Sequence, residues 1–120
     1  MTRTAAAPSP TVPVPVLRSR PTAEGLERWF GFLEAEIMDI VWSQQPAAII
    51  TVSRVHRAIG DTRELAYTTV MTTMGRLAEK GVLQRRRSGL AYVYTAACTR
   101  EEFEEIQIRA IVASLEIAHR

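Results

Sequence analysis

The run LAYTTVMTTMGRLAEKGVLQRRRSGLAYVY at residues 65–94 contains signals for a helix, a stop and a β-hairpin in direct succession. Apolar side chains recur at the three- and four-residue spacing of a helix over residues 66–80, and Gly81 then ends that helix. Two strand-like runs follow within residues 82–95, separated by a Ser-Gly pair that is a two-residue hairpin signal. The sequence therefore predicts a helix followed at once by a β-hairpin.

The outward face of this predicted helix is unusual. It carries threonine in place of the Glu–Lys pairs of an ordinary solvent-exposed helix, although threonine is a poor helix former. Threonine hydroxyls can donate to phosphate oxygens or reach base edges, threonine methyls can touch thymine methyls, and arginine can reach a phosphate or a guanine edge. The polar side chains expected on this face to bind DNA are Thr68, Thr69, Thr72 and Arg76.

Helical segments flank this run on both sides. Residues 31–45 carry apolar side chains at i, i+4, i+7 and i+8 ahead of Pro46, and residues 51–60 form a shorter helix. Residues 99–118 begin with a threonine cap and an acidic first turn, which predicts a fourth helix. The order helix, helix, helix, hairpin, helix is that of a winged helix-turn-helix, a mainly α fold with a small β-hairpin and here a C-terminal helix.

This order divides the chain into three parts. Residues 1–28 hold five of the six prolines and are expected to form a disordered Pro/Ala-rich N-terminal arm. Residues 29–97 are the expected winged-helix DNA-binding domain, with recognition helix 66–80 in the major groove and basic wing 82–95 on the DNA backbone. Residues 98–120 are expected to form a short C-terminal dimerisation helix.

The C-terminal helix has an apolar stripe that it cannot bury alone. Pairing around a two-fold axis would cover the stripe, which predicts a homodimer and a palindromic DNA site. The residues expected at the dimer interface are Phe103, Ile106, Ile111 and Leu115. The alternative is that this helix folds back on its own domain.

Charge is distributed unevenly along a chain of 120 residues whose formal net charge is only +2. Residues 61–100 hold seven basic and three acidic side chains, whereas residues 101–120 hold five acidic and two basic ones. The predicted wing contributes Arg85, Arg86 and Arg87, and guanidinium groups suit phosphates. A basic surface between acidic segments indicates a polyanionic partner, here double-stranded DNA.

Other classes of function find little support in the sequence. A single cysteine, Cys98, excludes an intramolecular disulfide and a multi-thiolate site, and His56 and His119 are not at metal-ligand spacing. Because no nucleophile, base and orienting acid come together, no catalytic residue, cofactor or metal is expected, and the protein is not expected to be an enzyme. No apolar run reaches the length of a membrane-spanning helix, which predicts a cytoplasmic protein without membrane insertion.

Three segments resemble the penicillinase-repressor family, the BlaI/MecI type of winged-helix transcriptional repressor. They are FLEAEIMDIVW at 32–42, the run at 65–94 and TREEF at 99–103. The resemblance implies a repressor that binds a dyad-symmetric operator as a homodimer and controls β-lactamase-type or related stress genes. It also implies base contacts from the outward face of helix 66–80, with Arg85, Arg86 and Arg87 on the wing. Matched to the family pattern, the base-contacting residues are Thr68, Thr69, Met71, Thr72 and Arg76.

The sequence departs from this family pattern after the wing. Family members carry a longer dimerisation region made of several helices, whereas only residues 99–120 are available here, so a shortened dimer interface is expected. Some members are inactivated by a membrane-embedded sensor metallopeptidase, which is a further expected partner. The alternative function is a protein-interaction winged helix that does not bind DNA.

Overall fold

The computed structural model describes residues 14–19, 25–44, 48–60 and 63–118. Its elements in chain order are a 3-10 helix at Gly25–Arg28, α1 at Phe32–Trp42, α2 at Val52–Gly60, α3 at Tyr67–Glu79, β1 at Leu83–Ser88, β2 at Ala91–Ala96 and α4 at Arg100–Ala118. Four helices and one antiparallel hairpin in this order confirm the predicted winged-helix architecture. The predicted helix 66–80 and hairpin 82–95 each differ from the observed elements by one residue at each end.

One apolar core joins the inner faces of α1, α2 and α3. Its buried members include Ile37, Met38, Val41, Val55, Ile59, Val70, Met74 and Leu77. Removing a side chain of this size from water contributes about 1.5–3 kcal/mol to folding. The spacing of these residues along each helix is the predicted helical periodicity, and it fixes which face of α3 remains outside.

α3 ends in a Schellman motif at Gly81. The Gly81 N–H donates to the Ala78 carbonyl at 3.0 Å, and the Val82 N–H donates to the Leu77 carbonyl at 3.1 Å. Gly81 has a φ of +85°, a conformation that residues with a Cβ avoid. The predicted stop is confirmed, and the chain turns from it directly into β1.

A half-buried ion pair ties the same end of α3 to α1. Lys80 Nζ lies 2.7 Å from Glu34 Oε1, and this oxygen also accepts the Gly31 N–H at 2.9 Å. Glu34 is only 8% exposed, so its charge needs both partners. The Glu34 carboxylate therefore accepts a backbone hydrogen bond at the start of α1 and also holds the end of α3 in place through Lys80.

The hairpin is attached to the helices through Tyr94, which is 2% exposed. The backbone of Tyr94 exchanges two hydrogen bonds with that of Ile50, at 2.8 Å and 2.9 Å. Ile50, two residues ahead of α2, thus forms an isolated β-bridge to β2. This pairing fixes the base of the wing, while its tip extends away from the core.

α4 begins with a capping box, which confirms the predicted threonine cap. The Glu102 N–H donates to Thr99 Oγ1 at 3.0 Å, and the Thr99 N–H donates to Glu102 Oε1 at 2.8 Å. Two backbone donors of the first turn are satisfied in this way. The helix is further tied to α1 because Arg100 Nη1 lies 2.9 Å from Asp39 Oδ1.

Phe103 lies at the centre of an aromatic cluster and is fully buried. Its ring centroid is 5.6 Å from that of Trp29, 5.3 Å from that of Phe30 and 5.4 Å from that of Trp42. The prediction that Phe103 lies at a dimer interface is therefore wrong, because the ring belongs to the core of its own domain. For the same reason the first turns of α4 cannot be separated from the winged helix at residue 98.

Parts of the segment predicted as a disordered arm pack on this domain. Leu26 in the 3-10 helix is 4% exposed, and Leu17 is half-buried against the core. The prediction of disorder is wrong for residues 14–19 and 25–28, because tertiary contacts hold them. Residues 1–13 and 20–24 lie outside the described part of the chain.

Candidate nucleic-acid interface

The outward face of α3 is exposed as predicted. All five side chains expected on it are accessible to solvent: Thr68, Thr69, Met71, Thr72 and Arg76. On the opposite face Val70, Met74 and Leu77 are each 0% exposed. The assignment of helical faces is confirmed, whereas contact with DNA stays a prediction.

The polar groups on this outward face are not used inside the protein. Among the residues that the structure describes, no hydrogen bond or ion pair involves the side chains of Thr68, Thr72 or Arg76. Thr73 behaves differently, because it is buried and its hydroxyl donates to the Thr69 carbonyl at 2.7 Å. The outward hydroxyls and guanidinium therefore keep their hydrogen-bonding capacity for a partner.

The first residue of α3 extends this face, and the sequence analysis missed it. Tyr67 is 46% exposed and lies one turn ahead of Met71, so the i, i+4 spacing could have revealed it. Its ring meets that of His56 edge-on, with centroids 5.6 Å apart. Nε2 of His56 lies 2.7 Å from the Leu65 carbonyl, so this nitrogen carries a hydrogen and donates it. The contact joins α2 to the start of α3.

The three wing arginines divide between the two faces of the hairpin. Arg85 and Arg87 lie on the Tyr94 side, and their guanidinium carbons are 4.6 Å and 5.5 Å from the ring centroid of Tyr92. Arg86 lies on the other side, opposite Val93. Because side chains alternate along a strand, three consecutive arginines cannot act as one group.

Arg85 also lies against the recognition helix. Its Nη1 is 3.7 Å from the point that a Cβ on Gly75 would occupy. This is van der Waals distance, so the guanidinium lies beside the helix backbone at Gly75. Arg85 therefore links α3 to the wing, whereas Arg86 extends freely from it.

The basic segment 61–100 contains two groups of cations. Three of them neutralise acids of α1, since Arg63, Lys80 and Arg100 pair with Glu36, Glu34 and Asp39. The other four have no carboxylate partner among the described residues, and all four lie on α3 or β1: Arg76, Arg85, Arg86 and Arg87. Within segment 61–100, the cations without a described carboxylate partner are thus concentrated on α3 and the wing.

The predicted dimer residues do not share one face of α4. Ile106 and Ile111 are half-buried, and Ile111 packs against the core, whereas Leu115 is 56% exposed. Two residues that the sequence analysis missed, Ile108 and Val112, are 53% and 48% exposed and lie at helical spacing from Leu115. We call Ile108, Val112 and Leu115 the α4 stripe.

Cys98 is a packed thiol. It is 7% exposed, and burial, together with the nearby charge of Glu102, raises its pKa to about 11. A thiol of this kind is almost wholly protonated at neutral pH and is a poor nucleophile. Within the described ranges no three His, Cys, Asp or Glu side chains are placed to hold a metal ion, and no helix is long and apolar enough to cross a membrane.

Known proteins resemble this chain over the same elements. The family model described as Penicillinase repressor matches residues 30–117. Two curated relatives, both called transcriptional regulator BlaI and from two strains of Mycobacterium tuberculosis, are 42% identical over 72 residues. The matched part covers 60% of this chain and 51% of each relative, so the chain spans about half the length of the curated relatives it matches.

A solved structure agrees with the fold. The solution structure of the DNA binding domain of the repressor BlaI superposes with a TM-score of 0.51 at 25% sequence identity. The match covers 59% of this chain and 83% of that one.

Proposed function

The chain belongs to the penicillinase repressor family, and from that premise we propose that it is a sequence-specific DNA-binding transcriptional repressor. One observation carries the proposal: among the described residues, the hydroxyl and guanidinium groups on the outward face of α3 have no partner, and they lie beside a wing whose arginines have no carboxylate partner there either. A surface of this composition is suited to a polyanion that also presents hydrogen-bonding base edges.

In this proposal α3 enters the major groove of double-stranded DNA. Thr68 and Thr72 lie one turn apart on the outward face and supply donors for phosphates or base edges. Arg76, one further turn along, reaches a guanine edge or a phosphate. α3 starts without a side-chain cap, so its first backbone donors are also available to a phosphate.

The wing lies on the neighbouring backbone and contributes mainly affinity. Arg86 projects from the side of the hairpin away from Tyr94 and is free to pair with a phosphate. Arg85 and Arg87 stack on the ring of Tyr92, which restricts both guanidinium groups, and Arg85 also lies beside α3. Fixed guanidinium groups lose less side-chain entropy on binding than free ones.

The repressor acts as a homodimer on a palindromic operator. The α4 stripe exposes about half of each of three aliphatic side chains, and pairing with a second copy removes them from water. A two-fold protein requires two half-sites separated by about one helical turn of DNA, or a multiple of it. A protein with this role works in the cytoplasm, where the chromosome is.

Control of β-lactamase-type or related stress genes, and inactivation by a membrane-embedded sensor metallopeptidase, stay predictions from the family resemblance. Co-expression with a peptidase of that class tests the second one. We expect cleavage in or near α4, since loss of the α4 stripe would release the dimer. An intact chain after co-expression and induction would contradict this partner.

The proposed function is tested by selection from a library of random 40-base-pair duplexes at low salt. We expect a two-fold symmetric motif, which we call the selected duplex, and one half of that motif, the half-site duplex. Fluorescence anisotropy then measures the affinity of the full chain for both. Specific binding should exceed binding to scrambled duplex by about 1,000-fold or more.

The second candidate function is a protein-interaction winged helix that does not bind DNA. The apolar α4 stripe favours it, because such a stripe suits a protein partner as well as a second copy. The same selection separates the two candidates. No enrichment of any duplex at low salt would overturn the repressor proposal and support this alternative.

A further inference from the structure

Gln107 is a buried amide in the middle of α4, and both of its polar atoms are used by a distant part of the chain. The side chain is 1% exposed. Its Oε1 accepts the Leu17 N–H at 2.8 Å, and its Nε2 donates to the Pro15 carbonyl. A buried amide without partners would destabilise the fold, so these bonds make the position specific for glutamine.

Gln107 therefore binds the backbone of residues 14–19, which we call the strap. It contacts the carbonyl of one residue and the N–H of the second residue after it, as the edge of a neighbouring β-strand would. Val16, between these two residues, is 63% exposed and points away from the domain, whereas Leu17 is half-buried against the core. The strap thus presents alternate side chains inward and outward.

The strap also touches the end of α3. The Pro15 Cγ lies 3.7 Å from the point that a Cβ on Gly81 would occupy, next to the Schellman motif. The strap consequently lies between two elements, the C-terminal end of the recognition helix and the middle of α4. These are the two elements whose relative orientation matters in a dimer on DNA.

α4 is otherwise anchored near its start and at Ile111. Arg100 pairs with Asp39, Phe103 fills the aromatic cluster and Ile111 packs against the core, whereas residues 112–116 are exposed. Apolar packing is not directional, so the contact at Ile111 does not by itself fix the direction of the helix. Gln107 lies one turn beyond Phe103 and just before the α4 stripe, so the strap adds two directional hydrogen bonds in the middle of the helix.

We propose that the strap, bound by the positioning residue Gln107, fixes the direction of α4. The direction of α4 in turn sets the spacing of the two recognition helices in the dimer. The proposal rests on the proposed function, because only a dimer on two half-sites has a spacing to fix. Binding of one half-site needs only α3 and the wing. Binding of both half-sites at once requires matched geometry, and its avidity is lost when the geometry is wrong.

The test uses the full chain and two variants that release the strap by different routes. Gln107→Leu removes both hydrogen bonds and keeps an apolar side chain of similar volume. Leu17→Asp puts a charge on the inward side of the strap, and Val16→Asp makes the same change on its outward side as the matched control. Affinities for the selected duplex and the half-site duplex, and amide hydrogen exchange in α4, are measured for each.

We expect Gln107→Leu and Leu17→Asp to lower the affinity for the selected duplex by about tenfold or more, with half-site affinity within about twofold of wild type. Amide exchange over residues 107–116 should become faster in both. Val16→Asp should match wild type in all three measurements. In the double variant Gln107→Leu/Leu17→Asp the loss should be no larger than in either single variant, because both act through one contact.

Wild-type affinity for the selected duplex in both strap variants would overturn the proposal, whatever happens to exchange in α4. An equal loss on the selected and half-site duplexes would also overturn it, because the strap would then act on α3 and not on spacing. Failure of the wild-type chain to bind either duplex contradicts the proposed function instead, and it is recognised before any variant is compared.

Discussion

Two helices of this small domain expose opposite chemistry from a shared core. The outer face of α3 presents threonine hydroxyls and Arg76, whereas α4 exposes an aliphatic stripe that includes Val112 and Leu115. A face of donors and positive charge is stabilised by a polyanion, and an apolar stripe is stabilised by leaving water. Under the proposed function, this small fold presents one helix to nucleic acid and another to a second copy of the chain.

The largest effect is expected on the inner face of α4, where Phe103 lies in the core. Phe103→Ala should lower the free energy of unfolding by about 3–5 kcal/mol, because it leaves a cavity among three aromatic rings. Leu115→Ala, on the outer face, should change it by less than about 0.5 kcal/mol in the monomer. Urea denaturation at low protein concentration measures both, and equal losses would reverse the assignment of the two α4 faces.

The outer face of α4 is tested by a charge placed within the stripe. Val112→Asp should raise the dimer dissociation constant by about two orders of magnitude, because a carboxylate would be buried in an apolar interface. Half-site affinity should not change. Sedimentation equilibrium at tens of micromolar reports the dimer. A wild-type chain that is only monomeric there, with and without the selected duplex, would contradict the dimer.

The outer face of α3 is tested by Arg76→Ala. We expect a loss of about 1–3 kcal/mol on the selected duplex, accompanied by relaxed preference at one base pair. Arg109→Ala removes the same charge from α4, where Arg109 is largely exposed and pairs with Glu105, and it should leave the affinity within about twofold. Equal affinity for wild type and Arg76→Ala would count directly against a major-groove role for α3.

The smallest effect is expected on the wing. Arg86→Ala should weaken binding to all duplexes about equally and lower the slope of log affinity against log salt by about one, since one phosphate contact disappears. The measurement is anisotropy between 50 and 200 mM salt, roughly the range in which counterion release dominates affinity. A loss confined to the selected duplex would instead make Arg86 a base-reading residue.

Much of the fold was accessible from the sequence because its signals are local. The spacing of Val70, Met74 and Leu77 defines the inner face of α3, and Gly81 and the Ser-Gly pair mark the turns on either side of β1. These features depend on neighbours a few residues away. The exposed face of α3 followed from them without knowledge of the rest of the domain.

The errors came from contacts between distant residues. Periodicity shows that Phe103 is apolar and faces inward, but it does not distinguish the core of its own domain from a partner. Prolines argue against helix in the N-terminal segment, yet Pro15 and Leu17 are held by Gln107, some 90 residues away. The split between Arg85 and Arg86, by contrast, was available from the period-two alternation of a strand.

In the proposed complex, the outward face of α3 and the wing contact the duplex, and α4 does not. A titration of the 15N-labelled full chain with the half-site duplex tests it most directly by amide chemical shifts. We expect the largest changes for the amide signals of Tyr67 to Arg76 and of Arg86 with its strand neighbours, while the signals of residues 107–115 stay near their positions in the free protein. Largest changes along the α4 stripe with an unperturbed α3 would contradict it.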